Sequence, residues 1–186
     1  MSAVPDAPTR GGLERLRVLL REEGGLMSTL LAPDGPAVAS ENGLSPAAIA
    51  AAGPRAAACS EEYELLVEAI YEGYLLHYGR PRVVRVLEAD LGLLAGDQLY
   101  ALGLARLVAL GDTIAVAELA DTITLSALAQ GSGDAVLADA VWQAGARAVG
   151  WGPSEAHRRA KELVCAGAPG AIEAMRTSAM LVPTPR

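Results

Sequence analysis

Phenylalanine is absent from this chain, and Trp and Tyr bring the aromatic share only to 4%. That shortage disfavours a sandwich or barrel, whose core is filled by large β-branched and aromatic side chains, and favours closely approaching helices. Cysteine is scarce too. Cys59 and Cys165 form no CxxC, and the two histidines, His77 and His157, stand at no metal-ligand spacing, which argues against a zinc site and fits a reduced, cytoplasmic setting. Lysine occurs once, at Lys161, there is no basic run, and the formal charge is −7, so nucleic acid is not an expected partner. The beginning of the sequence shows no charged start followed by an apolar stretch, and no export is expected. The longest uncharged run, Asn42 to Pro54, has 13 residues, too few to span a bilayer.

What the chain has in quantity is Ala, Leu, Val and Gly. Apolar residues are 52% of 186, enough for one domain with a real core. Strict alternation occurs nowhere, so the expectation is an all-α helical bundle with no strand. We divide it into an N-terminal segment, 1–58, flexible with one or two short helices, and a helical domain, 59–182. In the first part Leu13, Leu16, Leu19 and Leu20 keep a helical stripe that Gly24 and Gly25 stop. Ser45-Pro46 can open a short Ala-rich helix. Ser60 is a candidate N-cap with Glu61 and Glu62 in the first turn, for a helix reaching about His77. Gly79-Arg80-Pro81 breaks it. A central helix then runs from about Val83 to Leu110, with Gly111 as the residue past its end and Asp112 capping the next helix, to about Gln130. Further helices follow Gly133-Asp134, Pro153-Ser154 and Gly167 to Gly170.

The central stretch is apolar on nearly every side, which predicts a buried helix. On a helical projection Ala89, Gly92, Gly96 and Gly103 share an arc of roughly 60°, a strip with almost no side chain, suited to close packing within the chain or across a subunit interface. Asp90 and Asp97 share a second line, about 20° wide and away from the glycines. Two carboxylates there suit a metal or phosphate, or serve as structural partners for buried arginines such as Arg106 or Arg82. Glu68 and Glu72, at i and i+4, form either a weak cation site or a solvated face beside Glu61, Glu62 and Glu64. His77 suits the capping of helix-end carbonyls and His157 a charged surface stretch, while Trp142 and Trp151 suit packing or an interface.

Gly79-Arg80-Pro81, fourteen residues, then Gly96-Asp97 within LLAGDQLYALGLARL resembles the middle of the trans-polyprenyl diphosphate synthases. The resemblance covers roughly residues 60 to 130 and implies an all-helical fold like a truncated isoprenoid synthase. In that family a first Asp-Asp-x-x-Asp motif precedes the Gly-Arg-Pro loop. Here its place reads Glu68-Ala-Ile-Tyr-Glu72, and no Asp-Asp pair occurs anywhere in the chain, so the second aspartate-rich motif has no counterpart. Mg²⁺ demands near-ideal octahedral oxygen ligation, so a chain lacking both motifs is poorly equipped to hold magnesium diphosphate. The sequence is therefore similar to the short, motif-less chains of heteromeric synthases, of the heptaprenyl diphosphate synthase component-one kind. That implies a non-catalytic subunit: no catalytic residue, no cofactor of its own, and Mg²⁺ and isoprenyl diphosphate held with a full-length catalytic partner. The small chain would supply interface and product-tunnel wall, with Arg80 and Arg82 as diphosphate-contact candidates. Two alternatives stand beside this: a weak magnesium-dependent prenyltransferase using Glu68, Glu72, Arg80 and Asp97, and a self-associating scaffold unrelated to isoprenoids.

Overall fold

A computed structural model describes residues 11–33 and 44–180. For residues 1–10 and 34–43 of the segment expected to be flexible, and for the domain end at 181–182, the expectation falls outside the described residues. The rest is all-helical: α1 (Gly12–Glu23), α2 (Gly25–Thr29), α3 (Pro46–Ala51), α4 (Ser60–Tyr78), α5 (Ala89–Ala109), α6 (Thr113–Gly131), α7 (Ala135–Trp151), α8 (Glu155–Cys165) and α9 (Ala171–Met180). Among the described residues no strand forms, and the single β-bridge joins Leu31 to Val84. The part of segment 1–58 that is described holds three helices rather than one or two. Leu16 and Leu20 of α1 and Ala47 and Ala50 of α3 are buried, so these helices belong to the core.

Local chemistry sets most boundaries. Gly111 and Gly133 take left-handed φ of 79° and 76°, which only glycine adopts without cost. Asp112, Asp134 and Ser154 each accept a backbone N–H three residues on, capping α6, α7 and α8. Ser45 does the same for α3, with Pro46 in the first turn. Ser60 is the first residue of α4 rather than its cap; Cys59 precedes it without a side-chain cap.

Packing is organised on α4. Leu66, Val67 and Ile70 meet Leu107, Leu119 and Trp142 in one cluster, and Leu65 and Ala69 meet Leu16, Leu20, Leu99 and Val84 in a second. A third cluster seats α8 and α9 on α7 through Val141, Ala160, Val164 and Met175. In place of large side chains, backbones approach. A Cβ on Gly73 would come within 2.9 Å of the Gly96 carbonyl, and one on Gly96 within 3.0 Å of the Gly73 carbonyl, so the two glycines face each other across α4 and α5. Gly53 and Gly150 do the same between the end of α3 and α7, where a Gly53 Cβ would lie 2.1 Å from the Gly150 oxygen.

The central helix departs from expectation in two ways. It begins at Ala89, not Val83, because the N–H groups of Arg82, Val83 and Val84 are bound by the Glu72 carboxylate instead of a helical ladder. Nor is it buried all round. Gly92, Gly96 and Gly103 pack on α4 of the same chain, but Ala89, Leu93, Leu94, Ala101, Ala105 and Val108 are exposed. Among the described residues only α5 has the length and apolarity of a membrane span, at a marginal mean hydropathy of 1.2, so there is no clear transmembrane segment.

The glycine contacts separate by what they meet. Gly53→Ala faces backbone that cannot rotate away, and we expect it to cost about 2–4 kcal/mol in denaturant unfolding. Gly131→Ala meets nothing within 4 Å and should stabilise by about 0.5–1 kcal/mol. A neutral Gly53→Ala would show that α3 is not pressed on α7.

Candidate functional site

The carboxylates that the sequence offered for chemistry fall into three settings. Glu68 and Glu72, one helical turn apart on α4, point inward rather than into solvent, and Glu72 has 0% exposure. Glu72 Oε1 accepts the N–H of Arg82 and of Val83, each at 2.6 Å, and of Val84 at 3.1 Å, while its other oxygen accepts Arg82 Nε at 3.2 Å. Glu68 takes the remaining arm of Arg82 at 2.6 Å and the Ser45 hydroxyl at 3.1 Å. The Arg82 guanidinium also lies 5.0 Å over the Tyr71 ring. Burial pushes the Glu68 carboxyl up, and Arg82 offsets part of that. The pair is therefore neither a solvated face nor an open cation site: Arg82 fills the place a cation would take, and three backbone N–H groups complete the coordination of Glu72. Arg82 is spent in this clamp rather than free for diphosphate. Arg80 is exposed beside it. Among the described residues no group of three or more His, Cys, Asp or Glu is placed to hold a metal ion.

Asp90 and Asp97 are the second setting, and both correct the expectation of buried structural carboxylates. They lie on the outer side of α5, exposed. Arg106 pairs with Glu23 at 2.9 Å and Glu62 at 3.9 Å, and Arg82 with α4, so neither arginine reaches them. Asp97 Oδ1 stands 3.2 Å from Nε2 of His77, an ion-pair distance without hydrogen-bond alignment. His77 thus packs sideways, its ring stacked on Tyr100, instead of capping carbonyls.

The third setting was hidden in the sequence. Far from lying at the surface, His157 is buried. Its Nε2 is 3.1 Å from Glu118 and its Nδ1 3.3 Å from Ser178, and Lys161 reaches Glu118 at 3.0 Å and Asp121 at 2.7 Å. The residue types suggest a Ser-His-Glu hydrolase. The geometry does not: the Ser178 hydroxyl donates to the Met175 carbonyl at 2.8 Å, and the adjoining cavity of about 10 Å³ holds at most a water. The cluster ties α8 and α9 to α6. Its signal in the sequence was two charged pairs at helical spacing, Glu118 with Asp121 and His157 with Lys161.

A cavity of about 720 Å³ opens between α3, α7 and α9, walled by Ser45, Tyr71, Asp139, Gln143, Arg176 and Met180. Its volume is in the range of small-molecule sites, and Ser45 and Tyr71 connect it to the Glu68–Arg82 clamp. Burial pushes the Asp139 carboxyl up. The glycine strip of α5 takes no part in its wall.

Arg82→Met leaves Glu68 and Glu72 buried without their cation, with an expected loss of about 3–5 kcal/mol at neutral pH that shrinks in acid as Glu68 protonates. Millimolar Mg²⁺ should leave the wild-type thermal midpoint unchanged; a Mg²⁺-dependent rise would mean that the ion displaces Arg82. Glu118 and Glu68 have opposite pH signatures. Burial pushes Glu118 up, but hydrogen bonds from His157 and Lys161 and the Lys161 charge overcome it, leaving the carboxyl below its usual 4.5. Its stabilisation is present above that value and is lost as pH falls through the lowered one. Glu68, raised above 4.5, favours the fold in acid and loses that contribution as pH rises through its raised value. In urea titrations at neutral and acid pH, Glu118→Gln should approach wild type in acid, and Glu68→Gln should compare better with wild type at neutral pH than in acid.

No family model, curated protein or solved structure matches the chain.

Proposed function

We propose that this chain is a non-catalytic helical subunit of a heteromeric trans-polyprenyl diphosphate synthase, working in the cytoplasm beside a full-length catalytic chain that holds Mg²⁺ and the isoprenyl diphosphates. The observation that carries the reading is the state of the α4 carboxylates. At the place where the family's first aspartate-rich motif would coordinate magnesium diphosphate, Glu68 and Glu72 are closed over Arg82 and the 82–84 backbone. Opening that clamp would expose two carboxylates and break at least five hydrogen bonds before a metal could enter.

A subunit without chemistry acts through its surface. The glycine strip is consumed by α4, so it is not that surface. The opposite, apolar side of α5 is uncovered among the described residues and long enough for a partner helix, and we assign it the interface and the wall of the product tunnel. Contiguous exposed apolar faces on a folded chain mark interaction sites.

Co-expression with a full-length synthase carrying both aspartate-rich motifs tests this. The expected outcome is a stable complex whose product length differs from that of the catalytic chain alone, while the isolated small chain elongates nothing. Magnesium-dependent elongation by the isolated chain, falling by orders of magnitude in Glu68→Gln/Glu72→Gln, would overturn the reading in favour of a weak enzyme. Failure to bind any such synthase would leave a scaffold unrelated to isoprenoids.

A further inference from the structure

We infer that the outward line of α5 docks a helix of a different chain bearing two basic side chains about two turns apart, and that its two aspartates exclude a second copy of this chain. In taking α5 as a docking face this rests on the proposed function; it adds the chemistry of the partner.

With Asp90 at 0° and 100° per residue, Asp97, Val108, Ala101, Leu94 and Ala105 fall within about 80° of arc. All are exposed, Leu94 at 63% and Val108 at 58%. The line runs about 27 Å along the helix, and it is apolar except for the two carboxylates. Any surface that covers Leu94 also covers Asp90 and Asp97, which lie one turn to either side of it. Asp90 makes no ion pair or hydrogen bond among the described residues, and Asp97 has only the off-line approach of His77. Burying two carboxylates against an apolar partner is strongly unfavourable, so the occupant must bring cations to both. They stand seven residues apart, about 10 Å along the axis, which two Lys or Arg at i and i+7 of a facing helix match.

α5 of a second copy does not supply them. In a two-fold pairing α5 faces α5, and the one base on that helix, Arg106, lies about 160° from Asp90 and is held by Glu23 and Glu62. An anionic bilayer fails for the same reason, since it would meet the two aspartates with like charge.

Two synthetic helical peptides serve as probes for the full-length protein. Both carry Leu and Ala along one face; one has Lys at two positions seven apart on that face, and its twin has Glu there. By fluorescence anisotropy the Lys peptide should bind at least tenfold more tightly than its twin, with the difference shrinking as salt rises. Asp90→Asn/Asp97→Asn should remove that tenfold difference, and Leu94→Glu should abolish binding. All of these positions are exposed, and an unchanged circular dichroism melt confirms that the variants fold. Equal binding of the two peptides, or no binding, overturns the inference. So does self-association in sedimentation that Leu94→Glu abolishes, or flotation with vesicles containing phosphatidylglycerol. If a full-length synthase binds wild type and Asp90→Asn/Asp97→Asn equally, this inference fails and the complex stands. If the peptides behave as expected and no synthase binds, the reverse holds.

Discussion

A carboxylate with no access to water must find its partners inside the protein, and Glu72 finds them by fixing ten residues of chain. Its oxygens collect the N–H groups of 82, 83 and 84 together with Arg82 Nε, so the connection between α4 and α5 cannot continue as helix and instead lies against α4. Once the connection is there, Val84 bridges Leu31, the Val83 carbonyl accepts from Ala32, and Arg85 donates to the Leu30 carbonyl. The end of the α1–α2 unit is thus positioned by the same loop. The Arg82 arm that Glu72 leaves over reaches Glu68, whose other oxygen takes Ser45 at the start of α3. One buried charge cluster, Arg82 with Glu68 and Glu72, therefore sets where α1, α3 and α5 meet α4. A hydrophobic replacement could match it in energy, but it could not specify these three directions at once.

Around this clamp the helices close by approach rather than by bulk. With no Phe and few aromatics, the volume between α4 and α5 is removed by setting Gly73 against Gly96 and Gly103 against Ile70. Tyr71, Tyr74, Tyr78 and Trp142 gather around the second half of α4: Trp142 meets Tyr71 edge-on with ring centroids at 4.8 Å and Tyr74 at 5.2 Å, and Tyr78 lies beside Tyr74. At the opposite end of α4, Arg55 binds both oxygens of Asp112 at 2.6 and 2.8 Å and the Val149 carbonyl at 3.2 Å, while Tyr63 donates to Asp112. Burial and that bond to Asp112 push the Tyr63 hydroxyl up to about 12. α4 is thus held near its start by Tyr63 on the Arg55–Asp112 pair, and again farther along by Arg82 reaching Glu68 and Glu72.

What could be read from the sequence was local. Gly111, Asp112, Gly133, Asp134 and Ser154 announce helix ends because a left-handed residue or a capping oxygen acts within four positions of itself. The all-α class followed from the missing alternation and the missing aromatics. What could not be read depended on partners far along the chain. Glu68 and Glu72 look like a solvated face until Arg82 is folded back on them, and His157, in a run of charges, looks exposed until Glu118 and Ser178 arrive from 39 and 21 residues away. Gly73 was missed because a lone glycine in a helix has no pattern; only its opposition to Gly96 gives it meaning.

The helical projection of α5 did contain both of its special lines, the glycines and the aspartates. It did not say which would face inward. Desolvation decides that. Turning the aspartate line toward α4 would bury two carboxylates against residues 73–76, with Arg82 and Arg106 already committed elsewhere, at several kcal/mol each. Turning the glycine line inward buries no charge and gains backbone contact. The choice leaves Leu93, Leu94 and Val108 in water, a smaller cost at about 25 cal/mol per Å². A helix whose two sides are apolar enough to be buried thus takes its orientation from where its charges can remain solvated, and the side left outward carries both the hydrophobic surface and the two carboxylates.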